Sequence, residues 1–424
     1  MSENARVCGC QNSNKNQLAL IVIDEAHMIY SWGLVASGKA KKSSAHKKTK
    51  DCSIFRPSFG NMSDQLSATE GVPILFLSAT CRPVTIHGIL KFLKITEDNI
   101  NFIQGELTRP KIQILRVIMT SSLKSNQDLL PVIEKPKSSN DQIEPTLIYS
   151  RTQKATLQAM KVANKARHTP GAKYNSHSSL IQRYHSNTGD VAKIDSIDAF
   201  TGKKFPYMLC TMALGLGQNW KQVHKVIHMG RRDPSNICQM MGCCGRDGRP
   251  GLALLFMEKK QRQGKNLIED FAGLKEQSND DYMDTLVVTL ICLRIAFSLD
   301  NLHGYIPMST KDDQYLEEGQ RKIDEEFPPC QCSNCLPEEA IQLYNNMRKL
   351  TVQNFSDAIL NPQLLPTTSY VPFDQPSRKR GPQRKELSPA LLEFSSSLVK
   401  EFENFFSGNS TRNQHLSSQI KYLV

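Results

Sequence analysis

The chain has no long apolar run. Its longest, Leu286 to Phe297, contains Arg294 and is too short to cross a bilayer as a helix. The polar opening, Met1-Ser-Glu-Asn-Ala-Arg6, has neither the apolar stretch of a secretory leader nor the look of a transit peptide. The expectation is therefore an intracellular protein with no membrane partner. The twelve cysteines are then expected as thiols or metal ligands rather than disulfides. No internal repeat occurs. Nor does any Gly-x-x-x-x-Gly-Lys-Ser/Thr: Gly38-Lys39, Gly202-Lys203 and Gly264-Lys265 are followed by Ala40, Lys204 and Asn266, never by a hydroxyl. Within this sequence, that excludes the complete loop whose backbone N–H groups, lysine and hydroxyl hold a triphosphate and its metal.

What is present is basic. Lysine and arginine number 53 against 41 acids, a formal charge of +12, which favours a polyanionic partner over a neutral one. The 424 residues are enough for about two to four compact domains. Apolar strands alternate with helix-like segments through the first 260 residues: Leu18–Ile23, Pro73–Leu77, Ile112–Val117, Thr146–Tyr149, Tyr207–Cys210, Lys225–His228 and Leu252–Phe256. This alternation predicts parallel sheets covered by helices, with a boundary at Leu107-Thr-Arg-Pro110. The lysine-rich segment Leu34–Ser53 and the polar segment Ser121–Glu144 are expected to be long surface loops. Residues 261–345 are expected to be helical. Beyond them the chain is expected to loosen into a partly disordered tail. The tail carries the basic cluster Arg378-Lys-Arg380 and Arg384-Lys385 and one amphipathic helix, with Leu391, Phe394, Leu398, Phe402 and Phe405 on a face.

Asp24-Glu25-Ala26-His27 ends the first strand. Adjacent acids at a strand end offer one carboxylate for Mg²⁺ and another for the attacking water in nucleotide hydrolysis. A second strand ends in Ser78-Ala79-Thr80, whose hydroxyls are placed to meet those acids and His27. A third constellation is Cys330-Gln-Cys332-Ser-Asn-Cys335 with Cys292 upstream. Four thiolates suit a closed, structural Zn²⁺ site.

In order along the chain stand Asp24-Glu-Ala-His27, Ser31-Trp32-Gly33, Phe55-Arg56-Pro57, Ser78-Ala-Thr80, Thr108-Arg-Pro110, Thr146-Leu-Ile-Tyr149 and Tyr184-His185. Thr211-Met-Ala-Leu-Gly-Leu-Gly217, Gln239-Met-Met-Gly242 and Gly245-Arg-Asp-Gly248 follow. The series resembles superfamily-2 helicases, within them the RecQ family, and most nearly its divergent fungal members. The resemblance covers roughly residues 18–335, with the motifs in the family's order.

That resemblance implies an α/β fold of tandem RecA-like domains: an incomplete first domain over 1–107, a second over 108–260, a helical zinc-binding-like module over 261–345, and a tail over 346–424. It implies an ATP- and Mg²⁺-dependent 3′–5′ DNA helicase acting in repair or recombination in the nucleus, on single-stranded or junction DNA. Asp24 would hold Mg²⁺, Glu25 would be the base, and His27, Ser78 and Thr80 would couple nucleotide to DNA. Trp32, Phe55 and Arg56 would stack on or contact single strands. Thr211, Gly215 and Gly217 would face nucleotide or DNA. Gln239 and Arg246 would meet the nucleotide across the cleft, Arg246 as an arginine finger. Cys292, Cys330, Cys332 and Cys335 would bind Zn²⁺. The chain departs from the family at Leu34, which replaces a histidine, and at Asn219, which replaces an acid. It departs again at Cys243, which replaces the first of two arginines, and in lacking the phosphate loop. The polypeptide is therefore expected to hydrolyse little ATP alone. A non-catalytic DNA-binding remnant and a fragment of a longer gene product remain open as alternatives.

Overall fold

The structure is a computed structural model. It describes residues 19–30, 72–133, 139–175, 177–214, 218–272 and 280–366, together with single positions at 66, 274, 277, 278, 393, 396, 397 and 400. The insertion 34–53 and the residues Trp32, Phe55, Arg56, Gly215 and Gly217 lie outside these residues, and so does the expected amphipathic face at 391–405 apart from the single positions named.

Two parallel sheets stand among the described residues, as the alternation requires. The first pairs β1 (Ile21–Ile23) with β2 (Ile74–Phe76), Ile21 opposite Ile74 and Ile23 opposite Phe76. Ile21 and Ile23 point inward and join Ala26, Ile29 and Ile89, the last from α1 (Pro83–Leu93). Proline at the first turn starts α1, and Lys94 in a left-handed conformation ends it.

The second sheet has six parallel strands in the order β3-β8-β7-β4-β6-β5. These are β3 (Ile112–Met119), β4 (Thr146–Tyr149), β5 (Ile181–Tyr184), β6 (Tyr207–Cys210), β7 (Lys225–Met229) and β8 (Gly251–Glu258). β4, β6 and β7 are buried along their whole length because helices cover both faces. The strand β5 was not foreseen. Its four residues, Ile-Gln-Arg-Tyr, lie at the sheet edge with two polar side chains half-exposed, so no apolar run marks it.

The helices divide between the two faces. On one lie α4 (Pro234–Met241), α5 (Asp281–Val288) and α6 (Leu293–His303), with Ile237, Leu286 and Phe297 packed against Leu147, Val226 and Leu255; α7 (Asp313–Asp324) lies beside α6. On the other lie α2 (Gln153–Ala166), α8 (Pro337–Asn345) and α9 (Phe355–Leu360), with Ala159, Leu343 and Phe355 against Ile148, Ile227 and Phe256. A further helix, α3 (Asp190–Thr201), contacts β5. The helical module therefore shares the core of the second sheet rather than forming a separate one. Packed structure also runs past 345, because Met347, Leu350, Phe355 and Ile359 bury themselves on the sheet.

Ser121–Glu144 is not a surface loop over its described part. Leu129, Val132 and Ile133 are fully buried in the same core, and the Asp128 carboxylate accepts from the backbone N–H groups of Thr120 and Ser121. The polar composition of the segment hides three anchoring apolar residues.

The segment joining the sheets is held by charge. Arg321 on α7 lies 3.0 Å from Glu106 and 2.7 Å from Glu318. Burial alone would raise the Glu318 carboxyl, but hydrogen bonds from Arg321, Lys322 and Ser298 outweigh it and bring the pKa down to about 2. A carboxyl lowered on folding stabilises above its unfolded pKa and loses that contribution as pH falls. Stability contributed by Glu318 is thus expected to be complete above about pH 4.5 and to drain away toward pH 2. An acid titration followed by circular dichroism should show Glu318→Gln flattening the loss of stability over that window.

Candidate active site

The β1 strand end turns sharply. Glu25 adopts φ +55°, a left-handed conformation that costs a non-glycine residue about 1–2 kcal/mol. The turn is held by Glu25 N–H donating to Asp24 Oδ1 at 2.9 Å and Ala26 N–H donating to the Leu77 carbonyl at 2.8 Å. The second bond brings the two strand ends together. His27 Nδ1 consequently lies 3.0 Å from Ser78 Oγ and 3.4 Å from Glu25 Oε2. Ser78 Oγ donates to the Thr80 carbonyl at 3.1 Å, which closes the loop on itself. Asp24 is exposed, Glu25 and His27 are half-buried and Thr80 is buried. These contacts bring Glu25, His27, Ser78 and Thr80 together, with Asp24 beside Glu25 at the strand end.

The opposing wall comes from the second sheet. Asp233 caps α4 by accepting from Ser235 N–H at 2.9 Å, and Pro234 occupies the first helical position. The helix directs Gln239 toward the first sheet, where its Nε2 donates to Glu25 Oε1 at 3.3 Å. The loop that follows is buried as far as Gly245 and exposed from Arg246. Arg246 Nε donates to the Gly242 carbonyl at 3.0 Å. Arg109 braces the same loop, donating to the Cys244 carbonyl at 3.2 Å. Gly245 has φ +65° and meets the Arg249 carbonyl at 3.0 Å from where a Cβ would stand, so the turn needs glycine. Cys243 is buried against the Tyr149 hydroxyl at 3.6 Å, and burial pushes its thiol above the ordinary range. It brings no positive charge to the cleft. Thr211 sits half-buried just past β6, and its N–H donates to the Tyr184 carbonyl at 3.2 Å.

Sequence reasoning missed Arg82. It follows Thr80 by two residues and is 5% exposed. Its guanidinium forks onto Asp233 and Asp300, with the Tyr282 ring 4.2 Å away. Nothing local in the sequence pairs an arginine with aspartates so far along the chain.

The four cysteines of the third constellation converge. Cys292 stands at the position just before α6, while Cys330, Cys332 and Cys335 lie in the turn before α8. Their sulfurs all lie within 4.8 Å of one another, and all four are free of disulfides. A tetrahedral site with Zn–S near 2.3 Å would place its sulfurs about 3.8 Å apart, so the cluster has the right size and ligand set. Cys332 Sγ accepts from Leu293 N–H at 3.4 Å. Hydrogen bonding within the cluster lowers the Cys330 and Cys332 thiols and raises those of Cys292 and Cys335, so the four give up their protons as one set.

Residues 124–250 match the helicase conserved C-terminal domain. R290 of Acanthamoeba polyphaga mimivirus, named for an ATP-dependent RNA helicase, is 24% identical over 383 residues, which cover 88% of this chain and 59% of that protein. The mouse bifunctional 3′-5′ exonuclease/ATP-dependent helicase WRN is 27% identical over 254 residues, covering 59% of this chain and 16% of WRN. The ATP-dependent DNA helicase RecQ of Pasteurella multocida is 25% identical over 244 residues, covering 57% of this chain and 32% of that one. The chain thus spans less than two thirds of each of these relatives. It is similar to the RecQ-like superfamily-2 helicases, and the helicase C-terminal match spans β4 to β7, four of the six strands of the second sheet. Among the described residues no helix is long and apolar enough to cross a membrane.

Proposed function

We propose that this chain is the nucleotide-cleft and DNA-tracking portion of a RecQ-type ATP-dependent 3′–5′ DNA helicase, working in the nucleus in repair or recombination. The observation that carries the reading is the approach of Gln239 to Glu25 at 3.3 Å, which puts acids from one sheet opposite the helix of the other. When bound, ATP with Mg²⁺ would supply the phosphoryl group and its counter-charge. Asp24 would take the metal and Glu25 would orient and deprotonate water. Arg246 would swing from the Gly242 carbonyl to the developing charge. His27, Ser78 and Thr80 form the link between those acids and the second strand end. Thr211, Gly215 and Gly217 would face nucleotide or DNA, and Trp32, Phe55 and Arg56 would contact DNA. Cys292, Cys330, Cys332 and Cys335 would hold a structural Zn²⁺, which would fix α6 to the turn before α8.

The same reading makes the polypeptide a poor ATPase by itself. No complete phosphate-loop motif occurs in its sequence, and Cys243 contributes no cation. Those two observations favour, as a second reading, a helicase derivative that binds DNA without turnover.

The test has two arms. Single-stranded DNA binding measured against salt should weaken roughly fifty-fold between 50 and 200 mM if about four phosphates are contacted. A flat dependence would remove DNA as the partner. ATP turnover with and without DNA should stay at background. Stimulated turnover abolished by Glu25→Gln would instead establish an active motor and retire the second reading.

A further inference from the structure

We propose that Arg82 is a positioning residue that sets the width of the cleft, by holding the Ser78–Thr80 loop of the first sheet against the N-terminus of α4. This rests on the reading of Glu25 and Gln239 as facing groups of one site.

The geometry is a fork between two carboxylates. Nη1 donates to Asp233 Oδ2 at 3.0 Å and Nη2 to Asp233 Oδ1 at 2.9 Å. Nε donates to Asp300 Oδ1 at 2.9 Å and Nη2 also to Asp300 Oδ2 at 2.8 Å. The guanidinium is thereby paired along two of its edges, a pattern that a lysine ammonium cannot reproduce. The Tyr282 ring closes one face at 4.2 Å. Asp300 is fully buried on α6, so this ion pair is sealed from water.

Each end of the fork leads directly to the cleft. On one side Arg82 stands two residues beyond Thr80, whose loop bonds His27 through Ser78. The same residue is the N-cap position of α1, so the loop and that helix are fixed from one point. On the other side Asp233 is also the cap of α4, the helix that carries Gln239. The bracket is short and rigid at both ends: a two-residue step on one side and less than two helical turns on the other. The first sheet has a small core of its own, with five buried apolar residues among those described. Its seat on the second sheet must therefore come from outside that core, and Arg82 is a buried, charged tie between them. Burial of the pair makes it insensitive to salt, unlike a surface contact.

Hydrogen exchange on the full chain, without nucleotide, tests the bracket. In Arg82→Lys, amides of residues 74–93 should exchange at least tenfold faster, while those of 146–149 and 225–229 stay at wild-type rates. Asp300→Asn should move the same segment in the same direction and by less, because the fork to Asp233 persists. A crystal structure of Arg82→Lys should show Gln239 beyond hydrogen-bond reach of Glu25, that is beyond about 3.5 Å. Unchanged exchange in both variants would overturn the proposal. So would equal acceleration across both sheets, or failure of both variants to fold, since either makes Arg82 a general structural residue. Exchange needs no ATP turnover, so an inactive chain leaves this test intact and a failed bracket leaves the helicase reading standing.

Discussion

Replacing Arg231 by leucine is expected to lower stability by about 3–5 kcal/mol, the cost of breaking a buried ion pair from one side. Arg231 is 1% exposed. It donates to Asp284 at 2.7 Å, to the carbonyls of Glu258, Lys259 and Lys265, and to Asn266 at 2.9 Å. Those partners belong to the end of β8, the turn after it and α5. The single side chain therefore ties the second sheet to the helical layer. Burial raises the Asp284 carboxyl even with Arg231 in place. Without the guanidinium it keeps one donor, the Lys265 N–H at 2.8 Å. Urea unfolding with an m-value of about 3 kcal/mol per molar should show the midpoint falling by about 1–2 M. A second substitution, Asp284→Leu, should return part of the loss, because the stranded charge is then gone. A midpoint unmoved by Arg231→Leu would mean that the contacts add nothing to the folded state.

The cysteine cluster carries the second large effect. Structural zinc sites in small domains are worth about 10–16 kcal/mol of apparent binding energy, and that energy is folding energy. Elemental analysis of the purified chain should give one zinc per molecule, and Cys332→Ser should lose it. Chelation should release α6 from the turn before α8, seen as faster exchange at 293–303 and 330–336. It should also open the buried thiols Cys292 and Cys332 to alkylation. A chain that arrives without zinc, and whose unfolding ignores both zinc and chelator, would make these four free thiols. Cys244 makes a useful control. It is fully buried, and burial pushes its thiol up to about 12, so it should resist alkylation in either state.

Parallel α/β architecture was legible because strands buried on both faces must be apolar throughout, and short runs such as Leu252–Phe256 recur between longer helix-like segments. The strand-end acids were legible for a related reason. In such sheets a polar residue just past an apolar run stands at the sheet edge, so Asp24-Glu25 and Ser78-Thr80 announce their positions locally. The cysteines were legible by type. Edge strand β5 and the anchors at 129–133 were not, because each is short and set among polar residues. The helical layer looked separable because sequence shows that a helix has an apolar face without showing which surface meets it.

Residue order alone determined which chemistry the chain carries: carboxylates, hydroxyls, a glutamine, an arginine and four thiols, each at a position set by its own few neighbours. Only the tertiary structure decided which of them meet. Gln239 and Glu25 are 214 positions apart, and Arg82 and Asp300 are 218 apart. Such pairs leave no local trace, because their partners are chosen by how buried surfaces pack and by the need of a buried charge for an opposite one.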